Sequence, residues 1–375
     1  MKILHINWSG EIGGAETFVY NLAFAQKESR NDVTIAYMTK SSILGLKAQK
    51  TGIKTIEFDM CSGFDLIKGL NYIKFIRKEK FDIIHDHNGP PIVRLSKVFS
   101  GKSTFIQHIH GTKWGNIKWE KREVILWKTI TNKFVGCWIA NSEHTKKIAS
   151  LKERIPLSSI KVVYNGIKLS EFKLLRDKSE IKKEFNMGKN DFIVGTVARL
   201  APPKGIDNFI EVARRTDDSD IKFIIVGEGE LESKLKLLVK EMNLQDKIIF
   251  TGAREDIPDI LSIFDIFLST SKWEAFGITI IEAMAVGLPV VAFSVDGIKE
   301  IVKENCGILV PYPDVDKIVE TISFLKTNPA KRKEMGTKGM EYVSNCFDIK
   351  TIETKIKDLY EEVCSTSSQR NKLRK

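Results

Sequence analysis

Short apolar runs alternate with helical segments along the first half of the chain. The runs are rich in Ile and Val: KILHINW, DVTIAYM, KTIEF, FDIIHDH, STFIQHIHG, CWIANS and KVVYNGI. Runs of this kind, separated by segments of helical periodicity, are typical of parallel strands that helices cover on both faces. The first half is therefore predicted to form a parallel β-sheet between two layers of helices.

The same pattern begins again after a charged stretch, KLSEFKLLRDKSEIKKEFNMGKN. The second set of runs is FIVGTVARL, IKFIIVGEG, KIIFTG, IFLSTS, LPVVAFS and GILVP. Two such sets predict an α/β protein with two Rossmann-like domains. We expect an N-terminal domain at residues 1–167, a C-terminal domain at residues 168–347, and a final segment at residues 348–375. That segment is helical by pattern and ends in a polar tail, STSSQRNKLRK, which is predicted to be disordered.

Length and composition fit a folded protein of two ordinary domains. The chain has 375 residues, of which 42% are hydrophobic and 29% charged. It has no stretch close to the roughly 20 apolar residues of a membrane span, and its N-terminus lacks the pattern of a signal peptide. The five cysteines are widely spaced, which fits reduced thiols better than a disulfide scaffold. We therefore expect a cytoplasmic location.

Positive charge is concentrated in residues 94–154, which hold 13 Lys or Arg against four Asp or Glu. The same segment contains four of the six tryptophans. Cations interleaved with tryptophan suit an anionic membrane surface, which would place the protein peripherally on the inner face of the plasma membrane. A solvated basic face with core tryptophans explains the pattern equally well. Nucleic acid is not expected as a partner, because no motif for it accompanies the charge.

Two glycines precede the first predicted helix. Gly13 and Gly14, in SGEIGGAE, would let a phosphate approach the backbone at a helix N-terminus. A tight turn without a ligand is the alternative, since the stretch is neither GxGxxG nor a P-loop. Asp32 opens the second predicted strand, so that strand does not end in the acidic residue that a nicotinamide dinucleotide needs.

Four histidines stand at the ends of two predicted strands. His85 and His87 belong to HDH, and His108 and His110 belong to HIHG. They could bind zinc, but neither HExxH nor a cluster of carboxylates accompanies them. The alternative is that one of them lines a sugar or phosphate site while the others hold loops in place.

Two cationic residues follow the first strand of the second half, in the stretch ARLAPPKG. Arg199 and Lys204 flank a proline-rich turn there, at the carboxyl end of the strand. Paired cations at such a position suit a diphosphate, whose charge they can stabilise as it leaves.

Two glutamates bracket the apolar stretch EAFGITIIEAM. On one helix, Glu274 and Glu282 would stand roughly 12 Å apart and be turned by about 80°, so one helix face cannot present both to one atom. A loop that starts a helix at Gly277 can do so, with the N–H groups of Ile278 and Thr279 open to an anion. The carboxylates would then accept hydrogen bonds from hydroxyl groups of a nucleotide sugar, although two solvated helix charges remain an alternative. A glycosidase pair needs about 5 to 10 Å around one bond, and nothing else supports hydrolysis.

These motifs together resemble the retaining glycosyltransferases of family 4. GGAE, HG, NG, ARLAPPKG, GEGE and E-x7-E occur in that order and are followed by GLPVVAF and DGIKEIV. The resemblance spans nearly the whole chain and implies the GT-B fold, in which two Rossmann-like domains face each other across a cleft. The departures from the family pattern leave the donor base open: Ala198, Glu230 and Asp296 stand where many members have Gly, Pro and Gly.

The resemblance also implies roles at the phosphate end of the site. Gly13 and Gly14 would contact donor phosphate or acceptor, and Arg199 and Lys204 would clamp the diphosphate. The helix that begins after Gly277 would bind phosphate through its first N–H groups. Such enzymes typically need no metal, so no cofactor is expected.

Further roles concern the sugar and the nucleoside. His110 would lie beside the 6-hydroxyl of the donor sugar, and Glu274 would bind other hydroxyls of that sugar. Glu282 would bind the ribose, and the base would lie near FTGARED, which contains Gly252 and Arg254. His110, Glu274, Arg199 and Lys204 are the residues expected to act in catalysis.

The function that follows is transfer of a hexose from a nucleotide-sugar donor, with UDP favoured over GDP, to an acceptor hydroxyl with retention. The expected acceptor is a lipid-linked glycan in the synthesis of a bacterial surface polysaccharide. A nucleotide-sugar epimerase and transfer to a small soluble acceptor are the alternatives. An exported sugar receptor fits less well without a signal peptide, and a nicotinamide dehydrogenase is disfavoured by the second strand.

Overall fold

The computed structural model describes residues 1–11, 13–40, 43–62, 65–111, 130–173 and 176–372. The chain divides into two compact units. Unit 1 comprises Met1–Gly166 and Ile349–Lys375, and unit 2 comprises Ile167–Asp348. The domain boundaries expected from the sequence, at residues 167 and 347, differ from these by one residue. No helix in the described ranges is both long enough and apolar enough to cross a membrane.

Unit 1 contains a seven-stranded parallel sheet in the order β3-β2-β1-β4-β5-β6-β7. Its strands are β1 Lys2–Asn7, β2 Asp32–Tyr37, β3 Lys54–Glu57, β4 Ile83–Asp86, β5 Thr104–Ile109, β6 Cys137–Ala140 and β7 Ile160–Val162. The helices are α1 Gly14–Glu28, α2 Ile43–Lys50, α3 Leu66–Glu79, α4 Pro91–Leu95 and α5 Glu143–Glu153. The order reverses between β1 and β4, and at such a switch point the loops after the strands leave a crevice.

Unit 2 contains a six-stranded parallel sheet in the order β10-β9-β8-β11-β12-β13. Its strands are β8 Phe192–Val197, β9 Ile221–Val226, β10 Ile248–Gly252, β11 Ile266–Ser269, β12 Val290–Phe293 and β13 Gly307–Val310. The helices are α6 Lys178–Glu184, α7 Ile206–Arg215, α8 Glu232–Glu241, α9 Ile257–Ser262, α10 Ile278–Ala285, α11 Ile298–Ile301, α12 Val315–Thr327 and α13 Pro329–Cys346. The switch point of this sheet lies between β8 and β11.

The last helix, α14 Ile349–Lys372, follows unit 2 in sequence but packs in unit 1. Ile352, Ile356 and Tyr360 recur one turn apart, so they line one face, and all three are fully buried against Phe18 of α1 and the strands. Full burial of a large apolar side chain stabilises by about 1.5–3 kcal/mol. This face therefore fixes the helix on the sheet.

Helix α14 also corrects the prediction of a disordered tail. The polar residues after Cys364 continue the helix as far as Lys372. The buried face nucleates the helix, and the tail contains neither proline nor glycine that would stop it. Local composition suggested disorder because it did not reveal where the preceding turns are anchored.

Both faces of the first sheet are covered, as the apolar runs predict. Alternate residues of a strand point to opposite faces. Ile3 packs with α1 and α14, whereas Leu4 packs with Tyr72 and Ile76 of α3. The predicted α/β architecture of two parallel sheets with helices is confirmed.

Candidate active site

Two loops meet at the switch point of unit 2, one after β8 and one after β11. The hydroxyl of Thr270 donates to the backbone O of Gly205 at 2.9 Å, and the Lys272 N–H donates to the O of Pro203 at 2.8 Å. Gly205 has φ +60°, and a Cβ there would collide with the Thr270 carbonyl. A glycine is therefore required where the two loops come together.

The junction of the loops brings Lys204 and Glu274 into an ion pair. The side chains are 28% and 16% exposed, so water screens this pair only in part. The Gly297 N–H donates to the carbonyl of Glu274 at 3.0 Å and fixes that residue in its loop. Arg199, on the same loop as Lys204, is exposed and forms no ion pair with any described residue.

Beside the ion pair, helix α10 begins at Ile278, directly after Gly277. Gly277 has φ +99°, a conformation that favours glycine, and it supplies no side-chain cap. The first N–H groups of a helix have no intrahelical acceptor, so those of Ile278 and Thr279 are available to an anion. A small pocket lies here, and its polar lining comes from Thr196, Lys204, Ser269, Thr270, Ser271, Glu274 and Thr279.

Glu282 lies one turn inside α10 and is half-buried. It forms no hydrogen bond or ion pair with any residue that the structure describes. Burial, and secondly the negative charge of Glu171, raises the pKa of Glu282 to about 8. The carboxyl group is therefore mostly protonated at neutral pH. A hydroxyl-bearing ligand that donates hydrogen bonds to it would favour its ionised form.

Gly252 and Arg254, predicted to lie near the base, have different surroundings. Gly252 has φ +72° and open space where a Cβ would be. The Arg254 guanidinium donates to Asp256 at 2.6 and 2.8 Å and to Glu184 at 3.1 Å. These carboxylates raise the pKa of Arg254, Asp256 first. Arg254 thus belongs to a charge network of its own and does not line the pocket beside Lys204.

In unit 1, Gly13 and Gly14 lie at the start of α1, after β1. Gly13 is the N-cap in an extended conformation (φ −159°), and as a glycine it supplies no side-chain cap of its own. A Cβ on Gly13 would collide with the carboxylate of Glu16. The start of α1, with the Glu16 carboxylate beside Gly13, thus lies at the switch point between β1 and β4.

Five histidines form a cluster on one face of the first sheet, four of them buried and the fifth, His110, half-buried. His5 lies opposite His85 in the pairing of β1 with β4, and His85 lies opposite Ile106 of β5. The period of two places His87, His108 and His110 on the same face as His85. Ring centroids of successive members lie 4.1–5.4 Å apart, and Phe18 covers the cluster from α1.

A chain of hydrogen bonds runs through this cluster. The side-chain oxygen Oε1 of Gln26 lies 2.7 Å from His5 Nε2, so that nitrogen donates. His5 Nδ1 must then accept from His87 Nε2 at 3.0 Å, and His87 Nδ1 from His110 Nε2 at 2.8 Å. The amide of Gln26 also donates to the hydroxyl of Tyr360 at 3.3 Å, which lies 2.7 Å from His85 Nδ1. Helix α14 is thus connected to His110 through side chains alone.

All five imidazoles are neutral at neutral pH. Burial lowers the pKa of His5 to about 4 and that of His110 to about 3, each against a smaller opposite effect of a neighbouring amide. Burial, and then the other histidines, holds the pKa of His85, His87 and His108 well below the usual range. Neutral rings can donate and accept hydrogen bonds at the same time.

Two sets of three imidazoles could hold a metal ion. They are His5, His85 and His87, and His87, His108 and His110, whose ring nitrogens lie within 4.8 Å of one another. In both sets two of the nitrogens already share a hydrogen bond, which a metal would have to replace. No carboxylate belongs to either set, so the donor set offers a metal neutral nitrogen ligands only.

In the described part of residues 94–154, the tryptophan fits the alternative of a basic face with core tryptophans, and contact of this segment with a membrane stays a prediction. Trp138 is buried in a core cluster, and Arg94 stacks on its ring and pairs with Glu153 at 3.2 Å. These side chains cannot contact a membrane. Residues 112–129, with the other three tryptophans of the segment, lie outside the described residues.

Comparison with known proteins covers both units. Residues 12–171 match the family model described as Glycosyltransferase Family 4, and residues 177–342 match the one described as Glycosyl transferases group 1. The chain belongs to the family 4 glycosyltransferases. The resemblance to family 4 stated from the sequence motifs is thereby confirmed, whereas retention stays a prediction.

Individual proteins are similar to this glycosyltransferase over different lengths. UDP-Gal:alpha-D-GlcNAc-diphosphoundecaprenol alpha-1,3-galactosyltransferase of Escherichia coli is 29% identical over 317 residues, which is 80% of this chain and 81% of the relative. N-acetyl-alpha-D-glucosaminyl L-malate synthase of Bacillus anthracis is 26% identical over 210 residues, 56% and 55% of the two chains. The crystal structure of Anabaena HepE in complex with UDP and glucose has a TM-score of 0.85 at 22% identity, covering 96% of this chain and 100% of that one. This likeness confirms the GT-B fold.

The sequence motifs missed part of each site of this glycosyltransferase. His5, Gln26 and Tyr360 come from β1, α1 and α14 and complete the imidazole cluster. The only local signal was a histidine in an otherwise apolar strand. In unit 2, Thr196 and Ser271 add hydroxyl groups to the pocket, and no motif marked them. The predicted residues divide between the units: Gly13, Gly14 and His110 lie in unit 1, and the others in unit 2.

Proposed function

We propose that this glycosyltransferase moves a hexose from a UDP-sugar to a hydroxyl of a lipid-linked glycan, with retention and without a metal. The reaction would take place at the inner face of a bacterial plasma membrane, during synthesis of a surface polysaccharide. The E. coli relative, whose name contains both a UDP-sugar and a diphosphoundecaprenol-linked acceptor, supports the donor and the acceptor. The UDP in the HepE structure agrees with the proposed base.

The observation that carries the donor site is the half-buried pair of Lys204 and Glu274 beside the start of α10. A diphosphate needs cations and free N–H groups, and this pocket offers both within one loop junction. Arg199, which has no carboxylate partner among the described residues, would supply the second cation. Glu282, held protonated without a ligand, would gain its hydrogen bonds from the two hydroxyls of a ribose.

In the proposed reaction, the bond between the sugar C1 and the diphosphate oxygen breaks, and the electron pair leaves with the diphosphate. Lys204, Arg199 and the N-terminus of α10 stabilise that charge. The acceptor hydroxyl forms the new bond to C1 on the same face, and its proton passes to the departing phosphate oxygen. Every step uses groups of the chain or of the substrates, so no metal is required.

The imidazole cluster would serve the hydroxyl groups of the sugar. His110 has a neutral ring whose Nε2 is engaged with His87, which fixes the orientation of that ring. A fixed neutral ring can hydrogen-bond a hydroxyl such as the 6-hydroxyl of a hexose without attracting the diphosphate. Glu274 would bind other hydroxyls of that sugar once Lys204 turns to the diphosphate.

A small soluble acceptor is the second candidate. The likeness to N-acetyl-alpha-D-glucosaminyl L-malate synthase favours it, because malate in that name is a small acid and not a lipid. A basic protein with net charge +11 would also attract a carboxylate acceptor. The two candidates share the donor site and differ only in what receives the sugar.

The first experiment is thermal unfolding of the purified protein with UDP, GDP, ADP, NAD and the matching nucleotide sugars, with and without EDTA. A ligand that binds only the folded state raises the midpoint by mass action. We expect UDP and one UDP-sugar to raise it equally with and without EDTA. A response to NAD alone, or to none of these compounds, would overturn the donor site.

Product analysis then separates the remaining alternatives. Incubation with the stabilising UDP-sugar and either a polyprenyl-diphosphate-linked sugar or L-malate shows which acceptor is used. NMR of the product should show the anomeric configuration of the donor. An inverted anomer excludes the front-face reaction, and an epimer formed from the UDP-sugar alone would point to epimerisation.

A further inference from the structure

Helix α3 of unit 1 exposes apolar and basic side chains together on its outer face. Leu66, Ile67 and Leu70 are 71%, 74% and 56% exposed. At about 100° per residue, Lys74, Arg77 and Lys78 fall with them in an arc of about 120°. The α3 outer face is defined here by these six residues.

The opposite side of α3 is anchored firmly. Gly69, Tyr72 and Ile76 are buried, and the Asp65 side chain caps the first turn by accepting from the Lys68 N–H at 3.1 Å. Gly69 packs so closely on Ile92 that a Cβ would come within 2.7 Å of its Cδ1. The exposure of Leu66, Ile67 and Leu70 is therefore fixed by a well-packed helix.

The charge of the α3 outer face is positive and uncompensated. Lys74, Arg77 and Lys78 are exposed and form no ion pair within the described ranges. The neighbouring Glu79 is neutralised by Lys2 at 2.7 Å. The cations also follow the apolar residues along the helix, so apolar insertion and charge attraction act at one surface.

We propose that the α3 outer face lies on an anionic lipid surface. Aliphatic side chains would enter the boundary between headgroups and acyl chains, and the cations would meet the lipid phosphates. A second copy of this chain fits poorly, because a two-fold contact would place the same cations against each other. Membrane contact at α3 rests on the proposed function, because a lipid-linked acceptor gives that contact its purpose.

The test is co-sedimentation of the full chain with phosphatidylcholine vesicles that contain or lack phosphatidylglycerol. One variant carries Leu66→Ser, Ile67→Ser and Leu70→Ser, and a second carries Lys74→Gln, Arg77→Gln and Lys78→Gln. The matched control carries Lys102→Gln, Lys133→Gln and Lys147→Gln, three exposed lysines of the other basic segment. Thermal midpoints of all four proteins establish that each one is folded.

We expect binding that requires phosphatidylglycerol, falls by about fivefold or more per cation removed from α3, and falls at least tenfold in the serine variant. The control should bind within about twofold of the wild type. Equal binding by the α3 variants and the wild type overturns the proposal. Loss in the control alone would also overturn it, and so would an effect of the α3 variants on self-association in place of vesicle binding.

A water-soluble acceptor separates this proposal from the proposed function. Transfer to a short-chain acceptor should be unchanged in both α3 variants, whereas transfer to the vesicle-bound acceptor should fall. If folded wild-type protein transfers sugar to neither acceptor, the proposed function fails while the vesicle data still decide the role of α3.

Discussion

The two units share a sheet topology, but the side chains at their switch points differ in charge. In each, loops leave a parallel sheet at the point where the strand order reverses. All six histidines of the chain lie in unit 1, and five of them pack as neutral rings. Unit 2 has no histidine, and its loops carry Arg199, Lys204, Glu274 and Glu282. A shared fold therefore does not determine the charge of a site.

The difference matches two kinds of ligand group. Neutral imidazoles can donate to and accept from hydroxyls, but they offer little to a diphosphate. Cations and open helix N–H groups attract a diphosphate strongly. On the proposed function, the cations and the helix N-terminus of unit 2 would hold the diphosphate, and the neutral imidazoles of unit 1 suit uncharged hydroxyl groups. Four predictions test this division, and the largest effect comes first.

Loss of either Lys204 or Glu282 in unit 2 should abolish transfer. Lys204→Ala removes a cation from the leaving diphosphate, and Glu282→Ala removes the acceptor for two ribose hydroxyls. We expect transfer to fall by about 10²–10³-fold in each case. Lys204 stabilises charge that develops in the transition state, which is worth that much per group. Glu282 accepts two charge-assisted hydrogen bonds from the ribose, worth about 1.5–3 kcal/mol each. Initial rates with the UDP-sugar measure this, with Lys236→Ala and Glu334→Ala as exposed controls. Near-normal turnover by either site variant would refute the assignment of that residue.

Mild acid should unfold unit 1 before unit 2. Each buried histidine is neutral in the folded state, but its pKa is about 6.5 when unfolded. The stability is complete above that value and is lost as the pH falls from about 6.5 toward the lower folded pKa. Five such groups should together cost about 3 kcal/mol between pH 7 and 6, and more below. Hydrogen exchange resolved by peptide would show which unit opens first.

Two variants test whether the histidine cluster causes the loss of unit 1 stability in acid. Both ring nitrogens of His108 are buried without a hydrogen bond, so the substitution His108→Met removes no hydrogen bond. It should reduce the pH slope of unit 1 stability by about one proton. His144→Gln, which changes a histidine outside the cluster, is the matched control. Earlier opening of unit 2, or a slope that His108→Met does not alter, would contradict the neutral cluster.

The sequence predicted the two sites unequally. Unit 2 placed its candidates within contiguous motifs, and the turn at Gly277 positions Glu274 and Glu282 as expected. The imidazole cluster depends on the adjacency of β1, β4 and β5 and on Tyr360, 275 residues beyond His85. Strand order and the docking of α14 are tertiary facts with no local signal. The raised pKa of Glu282 could not be predicted from the sequence either, because it depends on how deeply that carboxyl group is buried.

The protonated state of Glu282 should appear in nucleotide binding. Ribose hydroxyls that donate to the carboxylate lower its pKa from about 8, so UDP binding releases a proton below that pH. UDP affinity should then rise with pH by up to about tenfold per unit until pH 8. Calorimetry in buffers of different ionisation enthalpy counts the proton. UDP itself titrates near pH 6, roughly as other phosphates do, so Glu282→Gln is the reference. If its proton release and pH dependence equal those of the wild type, Glu282 does not bind the ribose as an ion.

The smallest expected effect concerns the ion pair that occupies the donor pocket. Lys204 forms an ion pair with Glu274, and a diphosphate must compete with that carboxylate. Glu274→Gln removes the competing charge but keeps the shape, so UDP should bind about three- to tenfold more tightly, while transfer is lost with the sugar contact. A half-buried pair supports only a modest gain, because water already screens part of the attraction. The double variant with Lys204→Ala should lose the gain, since no cation is then released. Unchanged or weaker UDP binding in Glu274→Gln would show that Lys204 does not exchange the Glu274 carboxylate for the diphosphate.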